Sequence, residues 1–234
     1  DAAFSRPTPA PGWSVGDQVS HLAYFDDAAA ASCHSSEAFT PYLEEAVRGG
    51  TSFCDDVAAR YRDRSPAQLR AWWASSRATM LAAMHDCAPS ARVPWYGPEM
   101  SVASSLTARI METWAHGQDV YDALGVEHPV TEALPDVVWL CARTRANSYA
   151  ARGLSAPDVG VAVDVVLPGG DRVVHGEGTE VIRGDAVEFC LVATQRRHPG
   201  DTTLEASGPA AREWLDIAQA FAGPPGAGRS RSAA

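Results

Sequence analysis

Up to about residue 152 the apolar positions recur at helical spacing, and the breaks between runs carry capping residues. Pro7, Pro9, Pro11 and Gly12 predict an opening loop. A helix begins at Ser14, whose hydroxyl can cap it while Asp17 completes a short capping box, and runs to about Ala31. Further helical stretches cover about 36–48 and 52–62. Ser65-Pro66-Ala67-Gln68 combines a cap, a first-turn proline and a box glutamine, and starts a helix reaching about Cys87. Residues 88–98, with three prolines, Trp95, Tyr96 and Gly97, read as a loop. A long helix follows from about Met100 to Leu124, stopped by Gly125, and another from about Thr131 to Arg152.

The pattern then changes. Val159 to Leu167 is rich in valine, Gly169-Gly170-Asp171 marks a hairpin turn, and Arg172 to His175 returns from it. Val181-Ile182, Val187 to Thr194 and Thr202 to Ala206 read as further strands, and Gly208-Pro209 opens a helix to about Phe221. Helices followed by strands predict an α+β protein: a helical bundle over 1–154, a small α+β domain over 155–223, and a Gly, Pro, Ser and Arg tail over 224–234 expected to be disordered.

Composition narrows the partners. The net charge of -10 argues against nucleic acid or an anionic membrane as partner, and no apolar run reaches the length of a spanning helix. All basic residues are arginine, the codon bias of a high-GC genome. Cys33, Cys54, Cys87, Cys141 and Cys190 are odd in number and lack a C-x-x-C pair, which predicts buried core thiols in a reducing, cytoplasmic compartment. The chain begins at Asp1, with no secretory leader pattern. A small-molecule substrate is the partner this leaves.

Candidate chemistry lies on the long helix. Glu112 and His116, at i and i+4, emerge one turn apart on one face, and carboxylate plus imidazole suits a first-row dication. A third ligand has to come from another helix, and His21 is of the right type. Periodicity alone favours a different reading. Leu106, Ile110, Trp114, Tyr121 and Leu124 form an apolar stripe, and Glu112, His116 and Asp119 lie nearly opposite, as a solvated face with an Arg109–Glu112 ion pair. His21 likewise lies away from Val15, Val19 and Leu22.

Two motifs carry a family resemblance. PAPGWSVGDQVSHL from Pro9 to Leu22 resembles the opening of the second helix, and METWAHGQD from Met111 to Asp119 the third-helix metal motif, of DinB-like proteins, the superfamily of mycothiol-dependent maleylpyruvate isomerase and bacterial thiol S-transferases. DAVEFCLVATQRR from Asp185 and WLDIAQAFAGPPG from Trp214 resemble an actinobacterial metal-binding subfamily whose second domain is of the wyosine-base-formation type. The resemblance implies a DinB-like bundle with a divalent metal, zinc by ligand type, on His21, Glu112 and His116. In such bundles a first helix precedes the Trp13 motif; here the chain begins just before that motif.

The resemblance also implies mycothiol as a thiol cofactor that adds to an activated double bond, allows rotation and leaves; without the leaving step the chemistry is S-transfer. Arg196 and Arg197 are the candidate catalytic cations, Arg109 a candidate cofactor-binding cation, and Asp119 a candidate acceptor for a ligand imidazole. Trp95 and Tyr96 are candidates for the pocket mouth or for packing, and His175 and His198 read as surface residues. Two other functions stay open: a metal Lewis-acid isomerase, cyclase or hydrolase of secondary metabolism without a thiol, and a non-catalytic small-molecule binding or resistance protein.

Overall fold

Serines set the helix boundaries of the first unit, residues 1–128. The computed structural model describes residues 1–232. Ser14 caps α1 (Val15–His34) in a capping box with Asp17, and Ser35 ends that helix and caps α2 (Ser36–Gly49). After the short α3 (Phe53–Arg60), Ser65 and Gln68 form a second capping box at the head of α4 (Pro66–His85). β1 (Arg92–Val93), inside the expected loop, pairs antiparallel with β2 (Met100–Ser101), where the long helix was expected to begin. Ser101 then caps α5 (Val102–Leu124), which ends at Gly125 in the left-handed region.

α1 is the central element of this unit. It packs most extensively on α4 and also touches α5, α2 and α3. Nearly all of it is buried, Asp17, Gln18, Ser20, His21, Asp26 and Ser32 included. A helix enclosed all round has no solvent face, so its buried polar groups must find partners inside. Ser32 Oγ donates to the Pro94 carbonyl at 2.5 Å and Ser20 Oγ to the Asp17 carbonyl at 3.1 Å. Ala29 and Ala30 meet Met80, Met84, Val93 and Val102, while Tyr24 and Phe25 join Phe53, Val57 and the ring of Tyr96.

The second unit, residues 129–234, begins earlier than the expected 154/155 boundary. The helix expected over 131–152 is two, α6 (Leu134–Arg143) and α7 (Arg145–Ala150), broken at Thr144. α6 packs on α8 (Ala186–Ala193) and α7 on α9 (Pro209–Ile217). Helical periodicity records that a face is buried, not which domain buries it. The sheet has the order β4-β3-β5-β6, with β3 (Val161–Val166), β4 (Arg172–His175), β5 (Glu180–Asp185) and β6 (Glu205–Ser207). β3 pairs antiparallel with β4 and parallel with β5, and β6 runs antiparallel to β5. At the start of β3, any Cβ on Gly178 would lie 1.9 Å from the Gly160 carbonyl oxygen, so this crossing requires glycine.

The expected strand over Val187–Thr194 is helix α8. Asp185 caps it by accepting from the Glu188 amide at 3.0 Å, and Phe189, Cys190, Leu191 and Val192 are all buried. A short run apolar on every side has no period to separate a buried helix from a buried strand. Beyond α9 the chain carries no helix or strand up to residue 232, and the Ser232 amide donates to Asp201 Oδ2 at 2.7 Å; the last two residues of the tail expected to be disordered lie outside the described residues. The architecture is α+β, and no helix among the described residues is long and apolar enough to cross a membrane. All five cysteines are free: Cys141 and Cys190 are buried, Cys33 and Cys87 half-buried and Cys54 exposed.

Candidate metal centre

Two neighbouring helices bring three ligand types together. Glu112 and His116 stand one turn apart on α5, and His21 reaches them from α1. One ligand atom from each lies within 4.8 Å of the others. His116 Nε2 is 3.1 Å and His21 Nε2 3.8 Å from Glu112 Oε2, and the imidazole centroids are 4.3 Å apart. His21 and His116 are 7% and 8% exposed, which places the cluster inside the bundle.

The face of α5 that periodicity marked as solvated therefore also turns inward. His116 and Asp119 are buried and Glu112 is half-buried, while of the expected apolar stripe Trp114 is buried and Leu106, Ile110, Tyr121 and Leu124 are half-buried, so α5 is packed on both sides. Polar partners on α1 and α4 explain why the polar face is buried as well. Asp26, fully buried on α1, accepts from Arg109 Nε at 3.0 Å and from Arg77 Nε at 2.7 Å. Arg77 also donates to Thr113 Oγ, so α1, α4 and α5 are tied by one charged cluster. Arg109, expected to bind a cofactor, is 3% exposed and engaged with Asp26 and the Leu22 carbonyl.

The electrostatics suit a cation. Burial, reinforced by the charge of His116, pushes the His21 imidazole down to about 3, so it is neutral with a lone pair to offer. Burial pushes the Glu112 carboxyl up, but hydrogen bonds from His116 and His21, with the charges of His116 and Arg109, outweigh it and hold it well below the usual carboxylate range. Two imidazole nitrogens and one anionic oxygen form a proper donor set for a first-row dication.

Aromatic rings wall the centre. Trp13 lies 5.2 Å from the His21 ring and stacks on His116 at 5.9 Å, with its indole nitrogen anchored to Asp55 Oδ1 at 2.7 Å. Phe25 packs on His21 at 4.5 Å. His21 Nδ1 is buried without a hydrogen-bond partner, so packing between rings holds this ligand. His116 is held differently: its Nδ1 is 2.5 Å from the side-chain oxygen of Gln18, which is fully buried. Gln18 was missed in the sequence because a glutamine in a helix reads as solvated until the helix is known to be enclosed. Its place three residues before His21 on the same face was the available signal.

The remaining candidates fall elsewhere. Trp95 and Tyr96 sit in the aromatic cluster with Phe25, Phe39 and Phe53. Asp119 is buried on α5, close to one turn beyond His116. Arg196 and Arg197 belong to the second unit, after α8 rather than after a strand, where Gln195 at φ 61° turns the chain and both amides donate to the Leu191 carbonyl. His175 and His198, read as surface residues, are half-buried.

Comparison with known proteins places this geometry. The family model described as the mycothiol maleylpyruvate isomerase N-terminal domain matches residues 1–121. Uncharacterized proteins from two strains of Mycobacterium tuberculosis are 39% identical over 228 residues, covering 97% of this chain and 89% of theirs. Crystal structures of mycothiol-dependent maleylpyruvate isomerase, one of them a histidine-to-alanine mutant, share the fold at a TM-score of 0.57 and 17% identity, over 88% of this chain and 82% of theirs.

Proposed function

The chain belongs to the family of the mycothiol maleylpyruvate isomerase N-terminal domain, and from that premise we propose that it is a divalent-metal enzyme that uses mycothiol to isomerise, or transfer sulfur to, a small organic molecule. The observation that carries this reading is the buried convergence of His21, Glu112 and His116. Three protein ligands leave a position open, the mark of a catalytic rather than a structural site, and the ligand types favour zinc. When bound, the cation supplies Lewis acidity that lowers the pKa of a thiol or water at that position.

The chain's own residues do the rest. His21 offers a neutral nitrogen and Glu112 a permanent negative charge, so neither loses a proton to bind. Trp13 and Phe25 keep water from the imidazole rings. Arg109 acts at one remove, fixing the turn of α5 that carries Glu112 through its pairing with Asp26. The family resemblance makes Arg196 and Arg197 the candidate cations for an anionic thiol or substrate. The five free thiols accord with a cytoplasmic location.

The test is elemental analysis of the wild type beside His21→Ala, followed by turnover with and without mycothiol. About one metal per chain, lost in the variant, together with thiol-dependent turnover, is the expected result. A wild type without metal after zinc reconstitution overturns the metal reading, and turnover indifferent to thiol overturns the cofactor.

A further inference from the structure

A chain of hydrogen bonds from the opening loop determines which nitrogen of His116 faces a cation. Thr8 starts it. Its hydroxyl donates to the Trp13 carbonyl at 2.9 Å, which leaves the hydroxyl oxygen to accept. The donor it accepts from is the side-chain nitrogen of Gln18, at 2.9 Å. An amide with its nitrogen on Thr8 presents its oxygen at the other end, and that oxygen meets His116 Nδ1 at 2.5 Å. An amide oxygen has no hydrogen to give, so the hydrogen sits on His116 Nδ1. With that hydrogen held on Nδ1, Nε2, which faces Glu112 in the metal-free protein, is the nitrogen whose lone pair would go to a cation.

The reversed amide is disfavoured. It would turn the Thr8 hydroxyl toward Gln18 and away from the Trp13 carbonyl, and it would aim an N–H at His116. The imidazole would then have to accept at Nδ1 and carry its hydrogen on Nε2, where a cation has to bind. Gln18 is fully buried, so water offers no substitute partner.

We propose that Gln18, oriented by Thr8, is a positioning residue that sets the tautomer and ring orientation of His116 for metal binding. This rests on the metal reading above, and it adds a route by which the loop carrying Trp13 acts on a ligand it does not replace. The opposite ligand has no such support, since His21 Nδ1 is buried without a partner. The two histidines are therefore unequal, one aimed by a hydrogen bond and the other by packing.

Two measurements test this: zinc affinity by chelator competition, and nitrogen-edited NMR of the imidazoles in the metal-free protein. In the wild type the His116 Nδ1 proton is expected to be present and protected from exchange. Gln18→Leu should lose that signal and weaken zinc binding by roughly 10–100-fold, the usual cost of removing a ligand's hydrogen-bond acceptor. Gln18→Glu, which keeps an oxygen toward His116, should retain the proton and most of the affinity. Thr8→Val should weaken zinc binding where Thr8→Ser does not, and this half-buried pair keeps the test open should Gln18→Leu fail to fold. A wild-type Nδ1 without a proton, or wild-type affinity in Gln18→Leu, overturns the proposal. A wild type that binds no zinc defeats the metal reading alone, because the position of the proton still decides the relay.

Discussion

Asp26 and Asp164 are each held by two arginines, yet the two trios do different work. In the helical unit Asp26 is fully buried, Arg109 is 3% exposed, and the partners come from three helices that share no backbone hydrogen bonds. In the second unit Asp164 on β3 pairs with Arg172 on β4 and Arg183 on β5, whose side chains are 66% and 55% exposed, across strands already joined by their ladders. Helices depend on side chains to set their mutual rotation, and strands do not. The buried trio decides which face of α5 turns inward, and so where Glu112 and His116 point. The second trio, a buried carboxylate with two exposed arginines, sits on a sheet whose register is set without it.

Asp26→Ala is the most damaging way to break this contrast. It leaves two arginines without their carboxylate in the bundle, and a loss of about 3–5 kcal/mol in denaturant titration is expected, with metal binding impaired alongside. An unchanged midpoint would show that the trio does not hold the helices. Arg109→Met should cost less, about 1–3 kcal/mol, because Arg77 still serves Asp26. Its sharper readout is zinc affinity, which should fall even where the fold survives.

Asp164→Asn should have the smallest effect, since a solvent-screened pair contributes little at neutral pH. Its signature is in acid. The hydrogen bond from Arg172, with burial opposing and Arg183 assisting, holds the Asp164 carboxyl below its ordinary value of 3.8. A depressed folded-state value gives stability that is present above 3.8 and lost as pH falls through the folded value. The wild type should therefore lose slightly more stability than Asp164→Asn between about pH 5 and pH 2. Parallel acid limbs in thermal melts would remove Asp164 from the account.

Much of the helical unit was legible because caps are local. Ser14 with Asp17, Ser65 with Gln68, and Gly125 act on backbone groups within four residues, so their effect is written in adjacent letters. Whether an element is enclosed was not legible. Val187–Thr194 was misread because a buried helix and a buried strand are both simply apolar, and the Asp185 cap was the signal that separates them.

The sequence by itself determined the α+β order and the starts of the long helices, and its two motifs singled out His21, Glu112 and His116, which the fold brings together. It also held every residue of the Thr8–Gln18–His116 chain, without any sign that they meet. Only the tertiary structure decided that α1 is buried on all sides and that the polar face of α5 turns inward. The reason is physical: periodicity reports one face of one helix against an assumed apolar core. A core built around Asp26, Arg77 and Arg109 encloses the polar face too, and only packing three helices together reveals which buried charges find partners.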